Sequence, residues 1–202
     1  NKRVRLDENK KMQLYEVIYD DSLWLINLVE NLLSVTRIED GKMNLHLETE
    51  LIEEVINEAL NHISHKKDEH RIEVKANDEF ILAKIDAGLI IQVIINIVDN
   101  AIKYTPKGSM ISIETFKHKD FVEIQIADDG AGISDKDKEK LFEMFYTVKH
   151  EVIDGRRGLG LGLALCKAII VAHGGNIAVK DNIPHGTIFS FTLPIKEVEI
   201  HE

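Results

Sequence analysis

The chain has 202 residues, 44% hydrophobic and 30% charged, with a formal net charge of −10. That size and apolar content suit a folded soluble protein of one large domain or one domain plus an appendage, and the acidic balance argues against general nucleic-acid binding, which needs a basic face. The single cysteine, Cys166, excludes an internal disulfide framework, and no clustered Cys/His spacing suits zinc, so a reducing, cytoplasmic setting is expected.

No uninterrupted apolar run reaches the roughly 18 residues needed to span a bilayer, and no signal peptide is visible, so no membrane contact is expected of this piece. The sequence begins at Asn1 in mid-pattern. It is read as part of a longer protein whose membrane anchor lies elsewhere.

From Lys11 to Asp40 there is no proline or glycine. Ile18, Leu25 and Leu32 recur at heptad spacing, with Leu14, Leu28 and Val35 at the alternate position. This predicts a long amphipathic helix, on the order of 45 Å at roughly 1.5 Å per residue. Trp24, Ile26, Val29 and Leu33 widen the apolar stripe, which suits a helical bundle.

Gly41 stops that helix, and MNLHLE reads as a short strand before LIEEVINEALNHISHKK, a helix with apolar residues Ile52, Val55, Ile56, Leu60 and Ile63. RIEVKA and FILAKID follow as strands. Asp86 caps the helix AGLIIQVIINIVDNAIKY, which ends before Thr105-Pro106-Lys107-Gly108. MISIETFKH and FVEIQIAD alternate with period two around Lys119-Asp120, as in a hairpin. DDGAGIS is a loop, KDKEKLFEMF a short helix, and Tyr146 to Gly158 a long loop. LGLALCKAIIVAH is helical, and GNIAVKD and TIFSFTLPI close the pattern as strands. Helices on one face of a mixed, mostly antiparallel sheet make an α+β two-layer sandwich.

Four motifs carry chemistry. On the helix from Asp86, positions 96, 100, 103 and 104 share one face, while Ile90, Val93, Ile94, Ile97 and Ala101 occupy another. Asn96 and Asn100 offer amide oxygens to a hard cation such as Mg²⁺, and Lys103 can meet a phosphate; an exposed polar edge has the same pattern. Asp128-Asp129-Gly130-Ala131-Gly132-Ile133 ends a strand, where a buried Asp128 can accept from an exocyclic amine and glycines allow close backbone approach; an ordinary acidic turn is the alternative. Gly158-Leu159-Gly160-Leu161-Gly162 runs directly into a helix whose free N–H groups favour an anion. Gly186-Thr187 then opens the last strand, where a hydroxyl can support the same pocket.

In order and spacing, NIVDNAIKYT, DDGAGI, LFEMF, GLGLGLAL and the late GT resemble the N, G1, F, G2 and G3 boxes of sensor histidine kinases. LINLVENLLSVTRIEDGKMNL resembles the second helix of their dimerisation and phosphotransfer domain, and its spacing is somewhat like that of potassium-responsive sensor kinases. The resemblance implies two parts: residues 1–42, part of that dimerisation domain, and residues 43–202, an ATP-binding catalytic domain of Bergerat (GHKL) fold.

It also implies ATP and Mg²⁺ as cofactors. Asn100 with Asn96 would hold the metal, Lys103 would meet the phosphates, Tyr104 would flank the adenine and Asp128 would accept its amine. Gly130, Gly132, Ile133 and Thr187 would complete the pocket, and Gly158, Leu159, Gly160, Leu161 and Gly162 would form the lid hinge. Related chaperone and topoisomerase ATPases carry a water-activating glutamate where this chain has Asn96, so transfer of phosphate to water should be slow.

Two departures qualify the resemblance. The phosphoacceptor motif, a histidine followed by an acidic residue and then a proline, is absent; the chain is read as a kinase fragment lying after its acceptor helix. Where relatives carry two arginines after the F box, this chain reads Phe142-Glu143-Met144-Phe145-Tyr146-Thr147, so a γ-phosphate contact would pass to Lys149, Arg156 or Arg157 unless these only line a solvated loop. The implied partners are a response regulator and a second copy joined through the helical bundle. A non-enzymatic nucleotide-sensing module and an anti-sigma-factor-type serine kinase remain the alternatives. His62, His65 and His70 read as solvated, Phe142 and Phe145 as packing anchors, and Cys166 as core.

Overall fold

The computed structural model describes residues 7, 10–12, 14, 15, 17–19, 22, 26, 29, 45–63, 70–75, 80–148 and 160–195. The described residues between 10 and 29 are helical, and Leu14, Val17, Ile18, Ile26 and Val29 are exposed. Most of the expected heptad stripe and the stop at Gly41 lie outside the described residues.

Two strands, β1 (Glu48–Leu51) and β3 (Leu82–Ile85), pair antiparallel with Glu48 opposite Ile85. The first strand therefore lies later than MNLHLE suggests. The partner's length sets its extent: beyond Glu48 the chain is held by a bond from the His46 N–H to Asp86 Oδ2 instead of a ladder. Between them, α1 (Ile52–His62) buries Ile52, Val55, Ile56, Ala59 and Leu60. It stops short of the expected Lys67, with Ile63 extended and buried, because packing that residue inward takes the backbone out of helix.

Five strands form the main sheet in the order β2-β4-β5-β7-β6: β2 (Arg71–Lys75), β4 (Met110–Lys117), β5 (Phe121–Asp128), β7 (Thr187–Pro194) and β6 (Ile177–Asp181). Only β2 and β4 are parallel; the other pairs are antiparallel. Register aligns Ile113, Ile126 and Phe189 across three strands, and Ile124 with Phe191 and Ile177, so the period-two alternation of each strand adds to one apolar face. The opposite face carries a cleft of about 280 Å³ lined by Lys75, Ser112, Glu114 and Gln125 among others, reaching Asp129 and Asn182 at the margin of the DDG loop.

Against the apolar face lie α2 (Ala87–Tyr104) and α4 (Gly162–Ala172). The first matches its predicted span and is capped as expected, Asp86 Oδ1 accepting from the Leu89 N–H at 3.3 Å. Long and apolar enough to pass for a membrane span by length and composition, α2 is a core helix that buries Ile90, Val93, Ile94, Ile97, Val98, Ala101 and Ile102. His173 ties the two helices: its Nε2 accepts from the Asp86 N–H at 3.1 Å while its Nδ1 lies 2.8 Å from the Ile169 carbonyl, which fixes a neutral ring with the proton on Nδ1. The expected helix KDKEKLFEMF shrinks to α3 (Asp135–Lys138), capped by Ser134 and followed by turns. Phe142 must reach Phe189, edge to face at 6.5 Å, and a continued helix is not what carries it there.

Candidate functional site

The site starts from strand alternation. Val122, Ile124 and Ile126 point inward on β5, and the next inward position is Asp128, so the register that builds the core also buries a carboxylate, 8% exposed. Two backbone donors converge on its Oδ1, from Gly130 at 2.9 Å and Thr187 at 3.2 Å. Its Oδ2 has no bond among the described residues. Burial holds the Asp128 carboxyl above its ordinary range, with Asp129 adding to the rise and the two N–H groups opposing it.

The backbone around this carboxylate is packed so closely that side chains are excluded. Gly186, at φ 116°, would drive a Cβ into the Asp128 carbonyl oxygen, which also accepts from Asn182 Nδ2 at 2.8 Å. A Cβ on Gly130 would come within 2.8 Å of Thr105 Cγ2. Thr105 is buried directly after α2 and donates its hydroxyl to the Ala101 carbonyl at 2.7 Å, so it joins the asparagine helix to the DDG loop. His70 Nε2 lies 3.0 Å from that hydroxyl. Because the hydroxyl proton is already committed, His70 is the donor, and the solvated reading of His70 is corrected. His62 is exposed as expected, and His65 lies outside the described residues.

Asn96, Asn100 and Lys103 are half-buried and Tyr104 is 41% exposed, along the predicted face of α2. The Asn100 side chain has no hydrogen bond among the described residues. Asn96 Nδ2 is buried without a partner, and Asn96 Oδ1 faces Gly162, 3.5 Å from where a Cβ would stand. Lys103 Nζ lies 5.2 Å from the Tyr104 ring centre, a cation–π approach, and burial raises the Tyr104 hydroxyl. Cys166, fully buried in α4, has its thiol pushed up to about 12 by burial, the Asn96 amide beside it pulling the other way. It is core, as expected.

At the other margin, the Phe145 N–H donates to the Gly160 carbonyl at 2.9 Å, and a Cβ on Gly160, at φ 68°, would overlap the Tyr146 carbonyl. Tyr146 in turn donates to Asp137 Oδ1 at 2.6 Å. Phe145 itself is 65% exposed at φ 64°, so its reading as a packing anchor is corrected: the close approach of Gly160 sets this left-handed backbone, and the ring points outward. Gly132 lies against the Gly186 backbone, Ile133 packs on the core edge, and Leu161 is buried just before α4.

The fold thus gathers Asn96 with Gly162, Thr105 with Gly130, and Asp128 with Thr187 and Gly186. Lys149, Arg156, Arg157, Gly158 and Leu159 lie outside the described residues. Thr105, Asn182, Gly186 and His70 were not among the predicted site residues; only the late Gly-Thr pair signalled any of them. Among the described residues no cluster of three or more His, Cys, Asp or Glu could hold a metal. Two amide oxygens fit only a hard cation that takes most of its ligands from water and phosphate, which is the habit of Mg²⁺.

Residues 85–197 match the family of histidine kinase-, DNA gyrase B-, and HSP90-like ATPases. The chain belongs to that family. It is 43% identical over 94% of its length to the sensor protein KdpD of Clostridium acetobutylicum, of which it spans 21%. It resembles the solved Acinetobacter baumannii histidine kinase AdeS, with TM-score 0.77, 26% identity, and 96% of this chain and 87% of that one covered. It also resembles histidine kinase ThkA solved in complex with the response regulator protein TrrA, with TM-score 0.72 and 25% identity over 96% of this chain and 54% of that one. The α+β sandwich is that of histidine kinase catalytic domains.

Proposed function

We propose that this chain is the ATP-binding catalytic region of a sensor histidine kinase, which transfers the γ-phosphoryl group to a histidine outside this sequence for relay to a response-regulator aspartate. The observation that carries the reading is Asp128, a buried carboxylate with one oxygen fixed by two backbone N–H groups and the other unclaimed. Such an oxygen suits an exocyclic amine, and the glycine backbone beside it suits a flat base.

Asn100 and Asn96 would hold Mg²⁺, which when bound neutralises phosphate charge. Lys103 adds a cation on the same face, and Tyr104 presents its ring beside it. The N-terminal N–H groups of α4 supply fixed donors to a phosphate. No carboxylate stands at position 96 to activate water, so the arrangement favours transfer over hydrolysis. Residues 1–42 are assigned to a dimerisation domain and residues 43–202 to the catalytic domain, with the working site on the cytoplasmic side of a membrane-anchored receptor; the likeness to KdpD and to a kinase bound to its regulator supports this.

Calorimetric titration with ATP and GTP tests the base assignment. ATP is expected to bind at least tenfold more tightly, since guanine presents an oxygen acceptor where Asp128 needs a donor. Equal affinity for the two nucleotides overturns it. Phosphotransfer is tested separately with a fragment supplying the acceptor helix: tight ATP binding without label on that histidine overturns the kinase reading and leaves a nucleotide-sensing module.

A further inference from the structure

The paired register of β5 and β7 stops at Ala127 opposite Ile188. One step further, where a regular ladder would close backbone to backbone, the partners are side chains. The Thr187 N–H donates to the Asp128 side chain, Oδ1 at 3.2 Å, and the Asp128 carbonyl accepts from Asn182 Nδ2 at 2.8 Å. Asn182 is half-buried at the start of the β6–β7 turn, and its own N–H donates to the Gly186 carbonyl at 3.0 Å. One residue therefore grips both the backbone of Asp128 and the turn that delivers the Thr187 N–H.

We propose that Asn182 is a positioning residue for base recognition: by occupying the Asp128 carbonyl it leaves the Thr187 N–H to the carboxylate, which fixes Oδ1 and keeps Oδ2 turned to the ligand. The inference deepens the adenine reading of Asp128 and rests on it. A buried carbonyl deprived of its donor takes the nearest N–H. Without Asn182 that N–H is Thr187's, one register step away, and Oδ1 then keeps only the Gly130 N–H at 2.9 Å, which leaves the carboxylate free to turn. Gly186 presses on the same carbonyl but supplies it no donor, so packing does not replace the amide. On the same turn, His185 Nδ1 donates to the neighbouring Asp129 carbonyl at 2.8 Å and braces the loop without entering the Asp128 bonds.

The test compares ATP with purine riboside triphosphate, which lacks the exocyclic amine, by calorimetric titration, with thermal unfolding to establish that each variant folds. The parent is expected to favour ATP at least about tenfold. In Asn182→Ala that preference should fall to within about twofold, with affinity for the amine-free nucleotide unchanged. The Thr187 amide resonance should move in the same variant. His185→Ala, which weakens the same turn, should keep the full preference. Should alanine at 182 not fold, Asn182→Asp takes its place with the same expectation, since it keeps the shape and loses the donor. Full preference in the alanine or aspartate variant, equal loss of affinity for both nucleotides, or the same loss of preference in His185→Ala overturns the positioning role alone. No preference in the parent overturns the adenine reading and this inference with it.

Discussion

At the Asp128 end of the site the polar groups are tied to backbone: one carboxylate oxygen takes two N–H groups, the carbonyl takes Asn182, and Gly186 packs against it with no room for a methyl group. At the Asn96 end the amides are left open, the Asn100 side chain without a bond among the described residues and Asn96 with a buried, unpartnered nitrogen. The first end can read a base by shape and one acceptor, because rigid donors and acceptors discriminate only when they cannot adapt. The second is suited to a hydrated ion and flexible phosphates, whose own ligands complete it. Stability and function should therefore separate along the pocket.

The largest effect is expected at the rigid end. Gly186→Ala forces a Cβ into the Asp128 carbonyl at a left-handed φ and should cost about 2–4 kcal/mol in urea unfolding. A cost below about 0.5 kcal/mol would mean that the turn gives way and the end is not rigid.

Asp128→Asn should next weaken ATP binding about 100-fold, since an amide nitrogen then faces the adenine amine, while its remaining oxygen still takes both N–H groups. Folding should not suffer. The buried carboxyl has a raised pKa, so the folded state binds its proton more readily than the unfolded state does. The parent therefore loses stability as pH rises from the unfolded carboxyl value through the raised folded one, and is flat above it. That slope should vanish in the asparagine variant; its persistence would place the titration elsewhere.

The smallest effect belongs to the open end. Asn96→Leu removes a buried unsatisfied donor and should stabilise the fold by about 1 kcal/mol in thermal or urea unfolding, while abolishing the Mg²⁺ enhancement of ATP affinity. A destabilised variant would show that the amide is satisfied in the folded chain and would blur the contrast between the two ends.

Much of this was readable in the residues. The 3.6-residue period of AGLIIQVIINIVDNAIKY set both faces of α2, and strict alternation in FVEIQIAD placed Asp128 inward. What misled was local apolar pattern without a partner. MNLHLE has a strand's alternation, but a strand exists only where β3 pairs with it; KDKEKLFEMF has a helix's composition, but Phe142 and Tyr146 are drawn to Phe189 and Asp137. RIEVKA and FILAKID look like neighbours, yet they join different sheets.

By itself the sequence determined the element types, the buried row of Asp128, the polar row of Asn96 and Asn100, and the order of motifs that marks the family, because periodicity and turn chemistry are local properties of the chain. Only the tertiary structure decided what each polar group meets: Gly162 facing Asn96, the threonine against Gly130, the histidine behind that threonine, and Gly186 pressed on the Asp128 carbonyl. Such contacts join residues up to 87 positions apart, Asp86 to His173 being the widest described above, and no local pattern encodes them, since they arise when the helices are packed on one sheet face.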